Sequence, residues 1–133
     1  MKLMYINGKF TNGDAKEVIE VQNPATEEIL DSVPRGTPQD VEAAVQAARS
    51  AFEAWRKMGS FERANLLHEV AEKVHAHREE IVRLLTLEQG KPVSENDEEI
   101  EWVLNTFRYY AELGRHHRGS VLTPATASQF NFI

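Results

Sequence analysis

The chain has no cysteine among its 133 residues. That rules out disulfides and removes the thiolate, the strongest ordinary side-chain nucleophile near neutral pH. Basic residues are in deficit. Against 21 Asp and Glu there are 15 Lys and Arg, a formal charge of −6. A nucleic-acid binder carries a basic footprint, so that class is excluded. No apolar run approaches the roughly 18 residues that a membrane helix needs. The N-terminus, Met1-Lys2-Leu3-Met4-Tyr5, lacks the apolar core of a signal peptide. There is no internal repeat and no low-complexity tract. What remains is ordinary: 41% hydrophobic and 27% charged residues, enough chain for one core, and an expected cytoplasmic location.

The first third reads as short strands. Tyr5-Ile6-Asn7-Gly8-Lys9-Phe10 places Asn-Gly between apolar residues, the strongest short hairpin signal, because a two-residue turn wants positive φ at both positions. Val18 to Val21 is β-branched and extended, Asn23 to Thr26 is a turn, and Glu28 to Val33 is a further strand that Pro34 and Gly36 end. Thr37-Pro38-Gln39-Asp40 then reads as a helix start. Thr can cap, Pro suits the first helical position, and an acid follows three residues after the cap. Val41, Val45, Ala48, Phe52 and Trp55 make one face of that helix. Gly59-Ser60 restarts the chain. Leu67, Val70, Ala71 and Val74 mark a second helix, and Ile81, Leu84, Leu85 and Glu88 a third, closed by Gly90 and Pro92.

The fourth helix, from about Ser94 to Arg118, is the most informative. Ile100, Val103, Leu104, Phe107, Ala111 and Gly114 form one stripe, and Trp102, Thr106, Tyr109 and Leu113 form a second on the opposite side. A helix apolar on two faces is buried on two faces. The first three helices are expected to cover one of them, leaving the other for a partner. After Gly119 the β-rich stretch from Ser120 to Ile133 reads as a strand pair with an unclosed edge.

Several catalytic readings fail on spacing. Gly90-Lys91 lacks the preceding glycine and following Ser or Thr of a phosphate loop, and a helix stop accounts for it. His75 and His77, and likewise His116 and His117, diverge on a helix and lack the spacing of a chelating pair. No nucleophile motif frames any serine.

Five segments, in order and spacing, resemble the NAD(P)-dependent aldehyde dehydrogenases. They are the hairpin Tyr5–Phe10, the turn Asn23-Pro24-Ala25-Thr26-Glu27-Glu28, the run Ala51–Leu67 with Trp55 and Arg63, the run Leu84–Glu95 with its Glu-x-Gly-Lys-Pro signature, and Phe107–Gly114. Glu27 stands where the family has glycine. The resemblance implies an α+β fold class: a β-hairpin and short strands over 4–34, a four-helix segment over 37–118, and a terminal strand pair, together part of the aldehyde dehydrogenase fold. Residues 1–119 are expected to be the N-terminal part of the nucleotide-binding domain region, and 120–133 the start of the oligomerisation strands. The family's later equipment is absent: the Pro-Trp-Asn segment, the cofactor loop, the general-base glutamate and the nucleophilic cysteine. The Rossmann core and catalytic domain are missing with them.

The implied parent oxidises an aldehyde to a carboxylic acid with NAD or NADP. Thiolate attack, hydride transfer to the nicotinamide and hydrolysis of the thioester would follow in turn. This chain alone is expected to bind no cofactor and to be inactive. Its implied partners are the remainder of the enzyme chain and further copies in a homo-oligomer. Trp102, flanked by Glu98, Glu99 and Glu101, matches a position lining the family's aldehyde tunnel, with interdomain packing as the other account. Glu99 matches an acid that, with backbone carbonyls equivalent to those of Val21 and Gln22, holds a monovalent cation in some members. A helix N-terminal acid is the simpler account of it. The rival to the enzyme-fragment reading is a non-catalytic helical module acting through its two-faced fourth helix.

Overall fold

A computed structural model of the chain describes residues 2–14, 16–116, 118–122, 126, 128 and 131–132. Its elements are strands β1 (Met4–Ile6), β2 (Lys9–Thr11), β3 (Val18–Gln22) and β4 (Ile29–Pro34), helices α1 (Pro38–Lys57), α2 (Ser60–Ala76), α3 (Arg78–Gln89) and α4 (Val93–His116), and strands β5 (Val121–Leu122) and β6 (Asn131–Phe132). The strands pair as three antiparallel couples: β1 with β2, β3 with β4, and β5 with β6. The Asn-Gly signal is realised directly. Asn7 and Gly8 take φ of 52° and 76°, and Tyr5 sits opposite Phe10 with their rings edge-on at 5.1 Å. The Lys2 N–H donates to the Ser32 carbonyl and joins the two N-terminal couples.

Glu27 has a φ of 61°. That backbone region favours glycine, which gives a physical reason for the glycine at this turn position in the resembled family. The turn is held by its own bonds. Asn23 Oδ1 accepts from the Ala25 N–H at 2.9 Å, and the Asn23 carbonyl accepts from the Glu27 N–H at 2.8 Å.

The cap expected at Thr37 forms as a reciprocal box. Thr37 Oγ1 accepts from the Asp40 N–H, and the Asp40 carboxylate accepts from the Thr37 N–H at 2.8 Å. The other oxygen of Asp40 accepts from the Asp14 N–H at 2.9 Å. Asp40 is buried and thereby fastens the loop after β2 to the head of α1. Gly13 permits this approach: with φ of 59°, it has no room for a Cβ, which would lie 1.9 Å from Asp40 Oδ1. At the other end of α1, the Arg63 guanidinium donates to the Met58 carbonyl and turns the chain into α2.

The core is Ala71, Val82, Ile100 and Leu104, with Val74, Ile81, Leu85 and Phe107 packed against it. It belongs to α2, α3 and α4. Here the structure corrects the expectation that three helices cover the fourth. Helix α1 touches chiefly β1 and does not share this core. Its stripe faces out instead, with Val41 62% and Phe52 57% exposed. Periodicity identifies a face, but it does not say what covers it. In α3, Val82 is buried while Leu84 is exposed, so the inward face is turned from the sequence expectation. Among the described residues no helix is long and apolar enough to cross a membrane.

Candidate functional site

Helix α4 carries the residues singled out by sequence. Its inner stripe is as expected at Ile100, Leu104 and Ala111, which are buried, but Val103, placed on the same stripe by sequence, is 37% exposed and lies toward the outer side. Its outer stripe has no cover among the described residues: Trp102 is 73% and Tyr109 63% exposed. Two shallow grooves run beside Trp102. One is walled by Glu99, Val103, Thr106 and Phe107, the other by Asn105, Thr106, Tyr109 and Tyr110. The Thr106 hydroxyl donates to the Trp102 carbonyl at 2.8 Å, so it leaves no polar barrier along the face.

What sets the rotation of α4 is a line of polar pairs across its seam with α2 and α3. Asn65 accepts from Arg115 at 2.6 Å, His68 meets Glu112 at 2.7 Å, and Glu72 accepts from Arg108 at 3.1 Å. Each step along α2 is matched by a step backwards along α4, which is the register of an antiparallel pair. Arg78, at the start of α3, extends the line. Its guanidinium donates to both Asp97 oxygens at 2.6 and 2.7 Å and to Glu101 at 3.1 Å. The bonds to Asp97 and then Glu101 raise the Arg78 pKa further, and the Arg78 hydrogen bond holds Asp97 below the usual carboxylate range. Glu112 is held low first by its bond to His68 and then by Arg115. These pairs use the seam-facing charges of α4 and leave its outer face free.

The second candidate constellation lies at the joint of α3 and α4. Gly90 ends α3 with φ of 73°, donating to the Thr86 carbonyl. A Cβ on Gly90 would meet Pro24 Cγ at 2.9 Å. The Asn23-Pro24 turn is therefore seated against this joint. The next residue, Lys91, pairs with the Glu99 carboxylate. Of the suggested cation ligands, Val21 and Gln22 are neighbours at an irregularity of the β3–β4 ladder. The Gln22 amide donates to the Glu27 carbonyl at 2.8 Å. Glu99 is engaged by Lys91. Among the described residues no three His, Cys, Asp or Glu side chains gather as a metal site.

Sequence reading missed Asn96. It is fully buried, and its Nδ2 donates to Thr86 Oγ1 at 2.8 Å and to the Lys91 carbonyl at 3.4 Å. It ties the start of α4 to the end of α3. The available signal was its position one turn before Ile100, a polar side chain in line with the apolar stripe. The Arg78 fork had no comparable signal, because its partners lie 19 and 23 residues away.

Comparison with known proteins accounts for this arrangement. The sequence pattern of the aldehyde dehydrogenase family matches residues 10–133. The chain is 33% identical over 119 residues to the NADP(+)-dependent D-glyceraldehyde dehydrogenase of Thermoplasma acidophilum, covering 90% of this chain and 24% of that protein. Its fold superposes on an NADP-dependent enzyme of E. coli with a TM-score of 0.94 at 33% identity, covering 98% of this chain and 27% of that one. An aldehyde dehydrogenase of Bacillus cereus gives 0.91 at 37% identity, again over 98% and 27%. The chain thus spans about a quarter of the length of the relatives it matches. The match of sequence pattern over nearly all of the chain, and of fold over the same residues, shows that it belongs to the aldehyde dehydrogenase family.

Proposed function

We propose that this chain is the N-terminal part of an NAD(P)-dependent aldehyde dehydrogenase that oxidises an aldehyde to a carboxylic acid. The observation that carries this reading is the match of nearly the whole chain to about a quarter of such enzymes. The uncovered faces of α1 and α4 accord with it, since an apolar face rimmed with charge marks an interface. In this reading residues 1–119 pack on the cofactor domain and residues 120–133 begin the oligomerisation strands. Trp102 walls the aldehyde tunnel. A monovalent cation bound by Glu99 and the Val21 and Gln22 carbonyls would take the place that the Lys91 ammonium holds beside Glu99. The remainder of the enzyme supplies the thiol, the general base and the NAD or NADP site, and the whole acts as a cytoplasmic homo-oligomer.

The 133-residue chain, mixed with several aldehydes and either nicotinamide cofactor, should give no reduced cofactor by absorbance. Turnover above buffer would overturn the division of labour. Sequencing the gene past Ile133 tests the parentage. A continuing frame with a Pro-Trp-Asn segment and a cysteine supports the enzyme. A stop codon there favours a non-catalytic module acting through α4.

A further inference from the structure

A groove between α3 and the head of α4 is mostly apolar and encloses about 440 Å³. That is the size of a small-ligand cleft. Val82, 6% exposed, reaches it from the core, and Leu87 and Val93 add further apolar surface. Val93 is 60% exposed, so this surface meets solvent. The polar groups at the groove are of two kinds. Thr86 accepts from buried Asn96 at 2.8 Å, and Arg78 is forked onto Asp97 at 2.6 and 2.7 Å. These are spent inside the fold. Glu79 and Arg83 are exposed, and neither has a hydrogen bond or ion pair among the described residues. They stand one turn apart on α3, where side chains at i and i+4 are neighbours, yet they do not meet. An apolar cleft thus carries one unneutralised carboxylate and one unneutralised guanidinium side by side.

The occupant that matches this pattern has a positive group, a negative group and an apolar chain on the carbon between them. We infer that the groove binds a free α-amino acid with an apolar side chain. The Glu79 carboxylate accepts from its ammonium, the Arg83 guanidinium donates to its carboxylate, and its side chain lies against Val82, Leu87 and Val93. A fatty acid would leave Glu79 unanswered, and an alkylamine would leave Arg83 unanswered. Charge-assisted bonds at both ends favour the zwitterion over either. The groove shares no residue with the two beside Trp102, so the inference stands apart from the aldehyde reading.

The test titrates the 133-residue chain with L-leucine and follows its backbone amide shifts by NMR. Amides of α3 and of the head of α4 should shift saturably, with a Kd of about 1 mM or tighter. Two analogues that each lack one charge separate the ends. Isocaproate, without the ammonium, and isoamylamine, without the carboxylate, should each bind about tenfold more weakly. Glycine, without the apolar chain, should give no saturable shift. Glu79→Gln should weaken leucine about tenfold and leave isocaproate unchanged, and Arg83→Gln should weaken leucine as much and leave isoamylamine unchanged. Both substitutions fall at exposed positions, and the analogue series needs neither of them. No saturable shift with leucine, or isocaproate binding as tightly as leucine, would overturn the inference. So would leucine binding by this chain that the complete enzyme lacks, because the rest of the enzyme would then be the occupant.

Discussion

Asp40 joins two stretches of chain through one carboxylate, and the consequence is a pH dependence with a definite sign. Its pKa is lowered first by the Thr37 N–H, then by the Asp14 N–H and the Thr37 hydroxyl. The unfolded chain therefore takes up this proton at higher pH than the folded one. The stability contributed by Asp40 is complete above the ordinary carboxylate value of about 4 and is lost as pH falls through its lower folded value. Melting temperatures from neutral pH downwards should fall more steeply in the unchanged chain than in Asp40→Asn; parallel profiles would refute this. Thr37→Ala removes the opposite half of the box and should cost about 1 kcal/mol at neutral pH, read from denaturant midpoints. Glu27 offers a change in the other direction. Its positive φ costs an ordinary residue about 1 kcal/mol, so Glu27→Gly should leave stability unchanged or raise it. A clear loss would show that the turn tolerates Glu27 without strain.

Helix α4 is read by two substitutions on opposite faces. Leu104 is 1% exposed inside the core, and Leu104→Ala should cost about 2–5 kcal/mol. Trp102 lies on the open side, so Trp102→Ala in this chain should stay within about 0.5 kcal/mol. Similar losses at both positions, measured by urea unfolding, would mean that the outer stripe is buried after all. The seam pairs set register more than they add stability. Glu72 and Arg108 are exposed, and a double-mutant cycle between them should give a coupling of at most about 1 kcal/mol. A much larger coupling would move this pair from register to the stability of the seam.

The whole molecule leaves α1 and α4 each with a large apolar face open. Such faces drive association when nothing covers them. Sedimentation of the isolated chain should show a species heavier than 15.1 kDa, with binding of a hydrophobic dye. A clean monomer that binds no dye would refute the expectation. Under the proposed reading, in which the remainder of the enzyme covers these faces and Trp102 walls the aldehyde tunnel, Trp102→Ala in the complete enzyme should raise the aldehyde KM more than it alters the cofactor's. An unchanged KM for small and bulky aldehydes alike, with a large fall in melting temperature, would leave Trp102 a packing residue only.

Local chemistry made much of this legible without coordinates. Asn7-Gly8, Thr37-Pro38-Gln39-Asp40 and Gly90-Lys91-Pro92 each act within a few residues, through φ preferences and short-range hydrogen bonds. The turns and helix ends follow from them, and the stripes of α4 follow from its period except at Val103, which periodicity put inside and the fold leaves exposed. Candidate site residues were legible to the same extent. Trp102 stood out as an aromatic among acids, whereas Asn96 read as one more polar residue. Contacts between distant stretches were not legible. Asp14 on Asp40, Pro24 against Gly90, Arg78 on Asp97 and the seam pairs of α2 with α4 depend on how elements meet in space. The sequence by itself determined which faces of the helices are apolar. Only the tertiary structure decided that α2 and α3 cover the inner face of α4 while α1 stands apart, because burial is a property of two surfaces and periodicity describes one.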